Sequence, residues 1–481
     1  MKTRPAHRPR LAWVALLMVV LLGVGWSGWW AARQHAIVAR HLPDRPELGA
    51  WPSELVDKIA QGEGKARGYF RPASGLVTLS RLYHANGFYP EALQCYAGLR
   101  QLDPANARWL HLPACILAEF GRLEEARPWE ERAVVLAPDY LPARLRLGDI
   151  LLKDNQTAAA AQAYALALGR DPGNPYARLG LARCALVGAD WTKAREHLRA
   201  AISAHPDFIG ALSLLVTVSE HLGETAEVAT LKAAIGKREF SDLTDEWVAS
   251  LVEECQDAYR LSVAAAVANA AGDAATTRHL LERAIAIAPT TSSYRRQLAA
   301  LLSREGNLRL AREHLEKAVA STPDDADCWL FLVQNLNAMG EPVRAEQTLA
   351  KGLSACPLSP SLHLERARWW SQAGRPEEAI AEFRESYRLR PSEASPLVEL
   401  ATVYFSTGRV EEATGALREA LRKQPDHPIA LATLALIAIS QGDEGGARGW
   451  WNRVRLHPAT PPQAINSIRQ AFQQQFGRPL P

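Results

Sequence analysis

Residue groups that could carry out chemistry are few and scattered in this sequence. The thirteen histidines show no H-E-x-x-H or similar metal-binding spacing, and the six cysteines form no C-x-x-C pair. The G-x-S-x-G turn that positions a nucleophilic serine is also missing. Residues 62–65, Gly-Glu-Gly-Lys, superficially resemble a phosphate-binding loop, but Ala66 stands where serine or threonine is required and no buried strand precedes it. We therefore expect no catalytic residue, no metal and no cofactor, and we predict that the protein is not an enzyme.

The charge balance argues against a nucleic-acid ligand. The chain carries 55 basic and 52 acidic residues, a formal net charge of +3. Proteins that bind nucleic acid concentrate positive charge, and this sequence shows no such excess. The cysteines are predicted to be small packing residues, although an even number in an exported protein permits disulfides.

An uncharged run, residues 11–32, lies near the N-terminus. Its 22 residues would form a helix long enough to cross a bilayer, at about 1.5 Å of rise per residue. Three tryptophans crowd its C-terminal end, which is typical of a membrane interface. Four basic residues and no acidic one precede it: Lys2, Arg4, Arg8 and Arg10. This pattern predicts a single-pass anchor in the inner (plasma) membrane, with a cytoplasmic N-terminus and a periplasmic body. A cleaved signal peptide is the alternative, but its apolar core would be shorter, about 7–15 residues.

Prolines recur every 34 residues along most of the chain. They stand at Pro104, Pro138, Pro172 and Pro206, and again at Pro289, Pro323, Pro357, Pro391 and Pro425. A turn residue precedes each proline slot by 17 positions: Gly87, Gly121, Asn155, Ala189, Gly223, Gly272, Gly306, Gly340, Gly374, Gly408 and Gly442. Alanines keep the same period between turn and proline, among them Ala92, Ala126, Ala160 and Ala194. Such a period indicates stacked helix pairs, in which glycine turns the chain, alanine permits close packing and proline ends the second helix.

The pattern resembles the tetratricopeptide repeat, W-x-x-L-G-x-x-Y, then A-x-x-x-F, then P, within 34 residues. Leu147, Gly148, Ala160, Tyr164 and Pro172 match it, and the match extends over about residues 73–461. The resemblance implies an all-α fold, a right-handed superhelix of about eleven repeats. It also implies a role in holding proteins or peptides rather than in catalysis.

The resulting division of the chain has seven parts. We predict a basic tip (1–10), a transmembrane helix (11–32), a linker with a capping helix (33–72), repeats 1–5 (73–242), an inserted helix (243–257), repeats 6–11 (258–461) and a C-terminal capping helix with a tail (462–481). The insertion follows from the spacing of Gly223 and Gly272, which are 49 residues apart instead of 34. It either packs over an imperfect junction between the two halves of the repeat array or acts as a partner-binding or hinge element.

The resemblance also implies which side chains face the inner groove of the repeats. In the N-terminal half they are Arg81, His84, Arg108, His111, Arg146, Asp149, Tyr176 and Arg183. Those in the C-terminal half are Tyr259, Asn269, Arg296, Gln334, Asn337 and Arg368. The first set forms a mildly basic strip, either an ordinary solvated surface or a site for an acidic peptide or an anionic glycan.

We therefore expect a membrane-anchored scaffold that binds proteins or peptides of the cell envelope and organises them into an assembly. No nucleic-acid partner is expected, and self-association is compatible with the sequence. Two alternatives stay open. One is a cytoplasm-facing regulator of lipopolysaccharide-type assembly, although the cysteine pairs that end such regulators are missing here. The other is a non-catalytic subunit that presents substrates to a separate enzyme.

Overall fold

The computed structural model describes residues 8–235, 244–457 and 459–480. In these residues all regular secondary structure is helical, which confirms the all-α prediction for them. The chain divides into two compact units, and the boundary lies between Gly272 and Asp273.

The first unit begins with two helices, α1 (Arg8–His41) and α2 (Ser53–Arg67). Five helix pairs follow: α3 (Pro72–Ala85) with α4 (Tyr89–Leu102), α5 (Arg108–Glu119) with α6 (Leu123–Leu136), α7 (Leu141–Lys153) with α8 (Thr157–Arg170), α9 (Pro175–Val187) with α10 (Trp191–Ala204), and α11 (Ile209–His221) with α12 (Thr225–Ile235). The unit ends with the short helix α13 (Glu246–Ala249), a 3-10 turn (Val252–Glu254) and α14 (Ala258–Ala270).

The second unit contains one helix, five helix pairs and a terminal helix. These are α15 (Ala274–Ile287), α16 (Ser292–Arg304) with α17 (Leu308–Ser321), α18 (Ala326–Ala338) with α19 (Pro342–Ala355), α20 (Pro360–Gln372) with α21 (Pro376–Leu389), α22 (Ser395–Ser406) with α23 (Val410–Lys423), α24 (Pro428–Ser440) with α25 (Glu444–Leu456), and α26 (Pro462–Phe476).

The periodic turn position has one backbone conformation throughout. All eleven residues at this position have positive φ, and the nine glycines lie between 71° and 83°. Asn155 and Ala189 adopt the same left-handed conformation, with φ of 58° and 55°. Because a side chain is strained there, glycine at this position favours the tight connection between helices of a pair.

The periodic alanines lie where the two helices of a pair approach each other. Ala92, Ala126, Ala160 and Ala194 are each 0% exposed, and so are Ala311, Ala379, Ala413 and Ala447. Large side chains at the neighbouring periodic position fill the space around them, including Tyr164, Phe383 and Trp451. Burying these apolar surfaces drives the packing of successive pairs.

The N-terminal helix differs from the prediction. α1 extends without a break through residues expected to form a linker, and its last turns pack on the repeats, where Val38 is 1% exposed. Among the helices of the described residues, none is both long enough and apolar enough to cross a membrane. The structure therefore does not support the transmembrane helix predicted for residues 11–32.

The six cysteines are free thiols, and five of them are buried. Their prediction as packing residues agrees with this placement. The insertion, in contrast, is not the single helix predicted for residues 243–257. Its described part forms only α13 and the 3-10 turn, and four of its main-chain groups hydrogen-bond to side chains of the repeats.

Candidate functional site

The described part of the insertion lies across the first helices of the first three repeats. We call residues 244–257 the docked segment and the surface under it the α3–α5–α7 face. Four groove residues predicted from the sequence contact the docked segment: Arg81 from α3, Arg108 and His111 from α5, and Arg146 from α7. The basic strip is therefore already occupied by an acidic stretch of the same chain.

A buried histidine between two carboxylates forms the centre of this contact. The Nδ1 atom of His111 lies 2.6 Å from Oε1 of Glu130 on α6, and its Nε2 atom lies 2.8 Å from Oδ2 of Asp245 in the docked segment. His111 and Glu130 are 0% exposed, and Asp245 is 5% exposed. Such an arrangement is favourable in a dry site only when every charge has a partner.

The electrostatics indicate that His111 carries a proton on each nitrogen. Burial opposes the charged imidazolium, but the carboxylate of Glu130 and the hydrogen bond to Asp245 raise the pKa of His111 well above its ordinary value. Burial raises the pKa of Glu130. Burial acts in the same direction on Asp245, but the hydrogen bond from His111, its positive charge, and the hydrogen bonds from Tyr140 and Val248 together outweigh burial and lower the pKa of Asp245 to about 2. The docked segment thus brings a carboxylate to a protonated histidine.

Asp245 has further partners. The hydroxyl of Tyr140 donates to its Oδ1 atom over 2.7 Å, and the main-chain N–H of Val248 donates to the same oxygen over 3.2 Å. Nη2 of Arg146 lies 3.8 Å from Oδ2. Three donors and a guanidinium thus surround one carboxylate, which is the environment of a site selective for an anion.

Trp247 occupies an aromatic slot beside the carboxylate site. Its ring stacks on that of Tyr140, with centroids 3.7 Å apart and 8° between the planes. His111 meets the indole edge-on, at 5.5 Å and 75°, and the guanidinium of Arg108 lies 5.4 Å from its ring centroid. The main-chain N–H of Trp247 also donates to the Tyr140 hydroxyl over 3.0 Å. Tyr140 therefore contacts both side chains that anchor this end of the docked segment.

The other end of the docked segment is held through its main chain. Asn86, at the end of α3, donates from Nδ2 to the carbonyl of Glu254 over 3.0 Å and accepts from the N–H of Gln256 over 2.6 Å. Arg81 donates to the carbonyl of Ser250 over 3.0 Å. These contacts recognise main-chain atoms of the segment, not its side chains.

His111, Cys115 and Asp245 converge as metal ligands do, since their ligand atoms all lie within 4.8 Å of one another. Histidine, thiolate and carboxylate suit zinc, and Glu130 would orient the histidine. However, both nitrogens of His111 already have carboxylate partners, and the guanidinium of Arg146 lies 3.8 Å from the proposed carboxylate ligand. The residues fit a charged hydrogen-bond network better than a cation.

The other predicted groove residues before the insertion lie in different environments. His84 is buried against Tyr96, with Nδ1 3.0 Å from the Tyr96 hydroxyl, and burial lowers its pKa to about 3. Asp149 accepts from the hydroxyl of Tyr164 over 2.7 Å and lies 3.9 Å from Arg183. Tyr176 packs edge-on against Phe208, at 4.9 Å. Of these residues, only His84 lies close to the docked segment. It lines a cavity together with Val248, Leu251 and Val252.

The predicted groove residues after the insertion form no comparable cluster with one another. Tyr259 is 69% exposed, and Asn269 lies on the same helix, α14. In the second unit, Arg296 lies over the ring of Phe331, while Gln334 and Asn337 are exposed on α18. Arg368 binds both carboxylate oxygens of Glu399, at 2.7 and 2.8 Å.

Five residues of the site were not predicted from the sequence: Asn86, Glu130, Tyr140, Asp245 and Trp247. Asn86 and Tyr140 lie in the turns flanking the helices, outside the positions that the repeat pattern assigns to the groove. Asp245 belongs to the insertion, whose acidic character was visible in the sequence but whose position was not. The 15-residue excess between Gly223 and Gly272 was the available signal that this region is unusual.

Comparisons with known proteins agree with the helical-pair architecture. Two family models, both described as tetratricopeptide repeat, match residues 77–140 and residues 151–235, 302–364 and 371–437. The tetratricopeptide repeat domain-containing protein PYG7, chloroplastic, of Arabidopsis thaliana is 30% identical over 165 residues, which are 34% of this chain and 50% of that protein. The chain thus matches about half the length of this curated relative.

Solved structures with similarity to the chain include yeast Tom70, at 15% identity and a TM-score of 0.40, covering 84% of this chain and 96% of that one. PilF of Pseudomonas aeruginosa, at 18% identity and a TM-score of 0.38, covers 44% of this chain and 96% of its own. The family assignment depends on the repeat matches, which together cover more than half of the sequence. This chain belongs to the tetratricopeptide repeat family.

Proposed function

We propose that the protein is a non-catalytic adaptor that binds protein or peptide partners through the first helices of its repeats. The observation that carries this proposal is the docked segment itself. The α3–α5–α7 face holds fourteen residues of chain through one buried carboxylate, one stacked indole and several main-chain hydrogen bonds. A surface that binds one peptide segment in this way has the chemistry needed to bind others.

The second unit is the place to test partner binding without interference from the docked segment. Gln334 and Asn337 are exposed on α18, the first helix of its pair. A photo-crosslinking amino acid at either position, in cells that naturally make the protein, should give one or a few discrete protein adducts. The matched control is Lys351, which is exposed on the second helix, α19. Adducts of equal yield and identity from position 351, or none from 334 and 337, would contradict binding through the first helices of the second unit.

The membrane location predicted from residues 11–32 stays a prediction. Its support is the uncharged sequence and the exposure of large apolar side chains on α1, including Leu17, Leu21 and Leu22 at 61–73%. Alkaline extraction of membranes should leave the full chain in the pellet, while Leu17→Arg combined with Leu21→Arg should release it. Recovery of the unaltered chain in the supernatant would reject the anchor. A reporter fused after Pro481 would then place the repeats on one side of the membrane.

The predicted role in envelope assembly depends on that location and is part of the same proposal. If the reporter is active only outside the cytoplasm, the partners are envelope or secreted proteins. If it is active only in the cytoplasm, the cytoplasm-facing regulator is the better hypothesis. Either result leaves the proposed peptide-binding chemistry of the α3–α5–α7 face unchanged.

A further inference from the structure

We propose that the docked segment is an internal ligand, and that the α3–α5–α7 face is a receptor for acidic peptides in which an aspartate precedes a tryptophan by two residues. A partner with this Asp-x-Trp pattern would have to displace the docked segment in order to bind. The inference rests on the proposed peptide-binding function and deepens it. It specifies the chemistry of the partner and states that the docked segment limits access to the site.

The carboxylate site explains why the partner must supply an acid. Oδ2 of Asp245 receives the proton of His111, and its Oδ1 atom receives the hydroxyl proton of Tyr140. An asparagine at the same place would present an amide N–H₂ to one of these donors and leave it without an acceptor. A buried donor without a partner lowers affinity by roughly 5- to 150-fold, more when it is charged, so the site discriminates between the acid and its amide.

The aromatic slot explains the tryptophan. The stacked ring of Tyr140 forms one wall, and Ala107, Leu110 and Ala133 form the apolar floor against which the indole packs. The cation of Arg108 faces the indole. Aromatic stacking and a cation over the ring favour a large electron-rich side chain, and tryptophan is the best of these. The two-residue spacing follows from Tyr140, because one side chain contacts both anchors.

The remaining contacts would accept many sequences. Asn86 and Arg81 bind main-chain atoms of Ser250, Glu254 and Gln256, which any peptide can offer. Asp245 and Trp247 supply the main charged and aromatic specificity, while Leu251 and Cys255 are buried and Glu254 lies 3.7 Å from Arg81. This division between main-chain affinity and side-chain specificity is common in peptide recognition.

Covalent attachment makes the docked segment a strong competitor. A tethered ligand acts at an effective concentration on the order of 1 mM. If the free peptide binds an empty face with a dissociation constant of about 10 μM, competition weakens its apparent affinity by roughly 100-fold. Release of the docked segment should therefore expose a site that is masked in the resting protein.

A fluorescent peptide with the sequence of residues 244–257 tests the proposal by fluorescence anisotropy in reducing buffer. The full-length chain is compared with a released variant, Asp245→Asn combined with Trp247→Ala. We expect the released variant to bind the peptide at least 10-fold more tightly than the unaltered chain. A peptide with asparagine at the position of Asp245 should bind the released variant at least 10-fold more weakly. The control peptide, with glutamine at the position of the exposed Glu246, should bind as well as the original.

Each result of this experiment decides the proposal. Equal affinity of the unaltered and released chains would overturn the masking. Absence of binding to a released variant with an unchanged helical circular dichroism signal would overturn the receptor chemistry. If the double variant loses helical signal, the same comparison with Asp245→Asn alone decides between these outcomes. A negative result in this experiment would not affect the crosslinking test at Gln334 and Asn337. The receptor proposal and the proposed adaptor function can therefore be rejected independently.

Discussion

The indole of Trp247 lies parallel to the phenol ring of Tyr140, with centroids 3.7 Å apart, although 106 residues of chain separate them. The same tyrosine donates its hydroxyl proton to Asp245. A turn residue between two helices of the repeat array thus secures the insertion by two contacts at once.

The Tyr140–Trp247 pair should show strong energetic coupling. Tyr140→Ala and Trp247→Ala remove the same stack, and the pair is expected to contribute about 0.5–1.5 kcal/mol beyond the area it buries. A double-mutant cycle should therefore give a coupling energy of this size in the free energy of opening of residues 244–257, measured by hydrogen exchange. Tyr140→Phe is the matched control, because it keeps the ring and loses only the hydroxyl. A coupling near zero would show that the stack does not hold the docked segment.

Docking should weaken as pH rises through the raised pKa of His111. His111 faces Glu130 on α6, Cys115 on its own helix and Asp245, and Arg146 lies on the far side of Asp245. Burial opposes the charge of His111, whereas the carboxylate of Glu130 and the hydrogen bond to Asp245 raise its pKa, and docking supplies only that hydrogen bond. The stability that docking gains from this charge is therefore fully present below 6.5 and is lost as pH rises through the raised pKa. Hydrogen exchange of the docked segment, corrected for intrinsic rates, should show easier opening at pH 9 than at pH 6. An unchanged pH dependence in His111→Gln would contradict this assignment.

Acid should release the docked segment by a separate route. Docking lowers the pKa of Asp245 from 3.8 to about 2, so the stability from its charge is present above pH 3.8 and is lost as pH falls towards 2. Asp245→Asn should abolish this acid dependence, whereas Glu246→Gln should retain it. The measurement is the opening free energy of residues 244–257 between pH 5 and pH 2.5. Equal acid dependence in the two variants would show that another carboxylate is responsible.

Removing metal ions should leave the docked segment in place. His111, Cys115 and Asp245 converge as metal ligands do, but their hydrogen bonds and the nearby Arg146 favour a network without a cation. Exhaustive treatment with a chelator should therefore change neither the thermal unfolding midpoint nor the exchange of residues 244–257. A zinc content near one equivalent, together with a fall in the unfolding midpoint after chelation, would identify a metal centre instead.

Ala189 occupies a turn position that is glycine in most repeats, and its left-handed backbone conformation lowers the stability of the protein. Its φ of 55° strains an alanine, whereas glycine adopts this conformation freely. Ala189→Gly should therefore stabilise the first unit by about 1 kcal/mol in urea unfolding. The reciprocal change Gly121→Ala, at a turn where an added methyl group would meet open space, should destabilise it by a similar amount. A loss of stability in Ala189→Gly would show that backbone strain does not decide this position.

Periodicity predicts the repeat architecture well because each helix pair depends on local positions. Glycine at the periodic turn position allows a left-handed backbone conformation, and alanines such as Ala92 and Ala126 lie where the two helices of a pair meet. Both features can therefore be predicted directly from the sequence. The candidate site has no such local signature. Asp245 and His111 meet across 134 residues, and the insertion has no repeat partner to set its conformation. The sequence showed a basic strip and an acidic insertion as separate features, and their pairing required the tertiary structure.

Hydrogen exchange at two main-chain amides shows whether the docked segment is held on the repeats. The N–H of Trp247 donates to the Tyr140 hydroxyl and the N–H of Gln256 donates to Asn86, so neither bond belongs to a helix. We expect both amides to exchange at least 100-fold more slowly than in an unstructured peptide, and Trp247 to lose this protection in Asp245→Asn but not in Glu246→Gln. Exchange at the unstructured rate in the unaltered chain, or equal protection in both variants, would contradict the account that a buried aspartate holds this segment on the repeats.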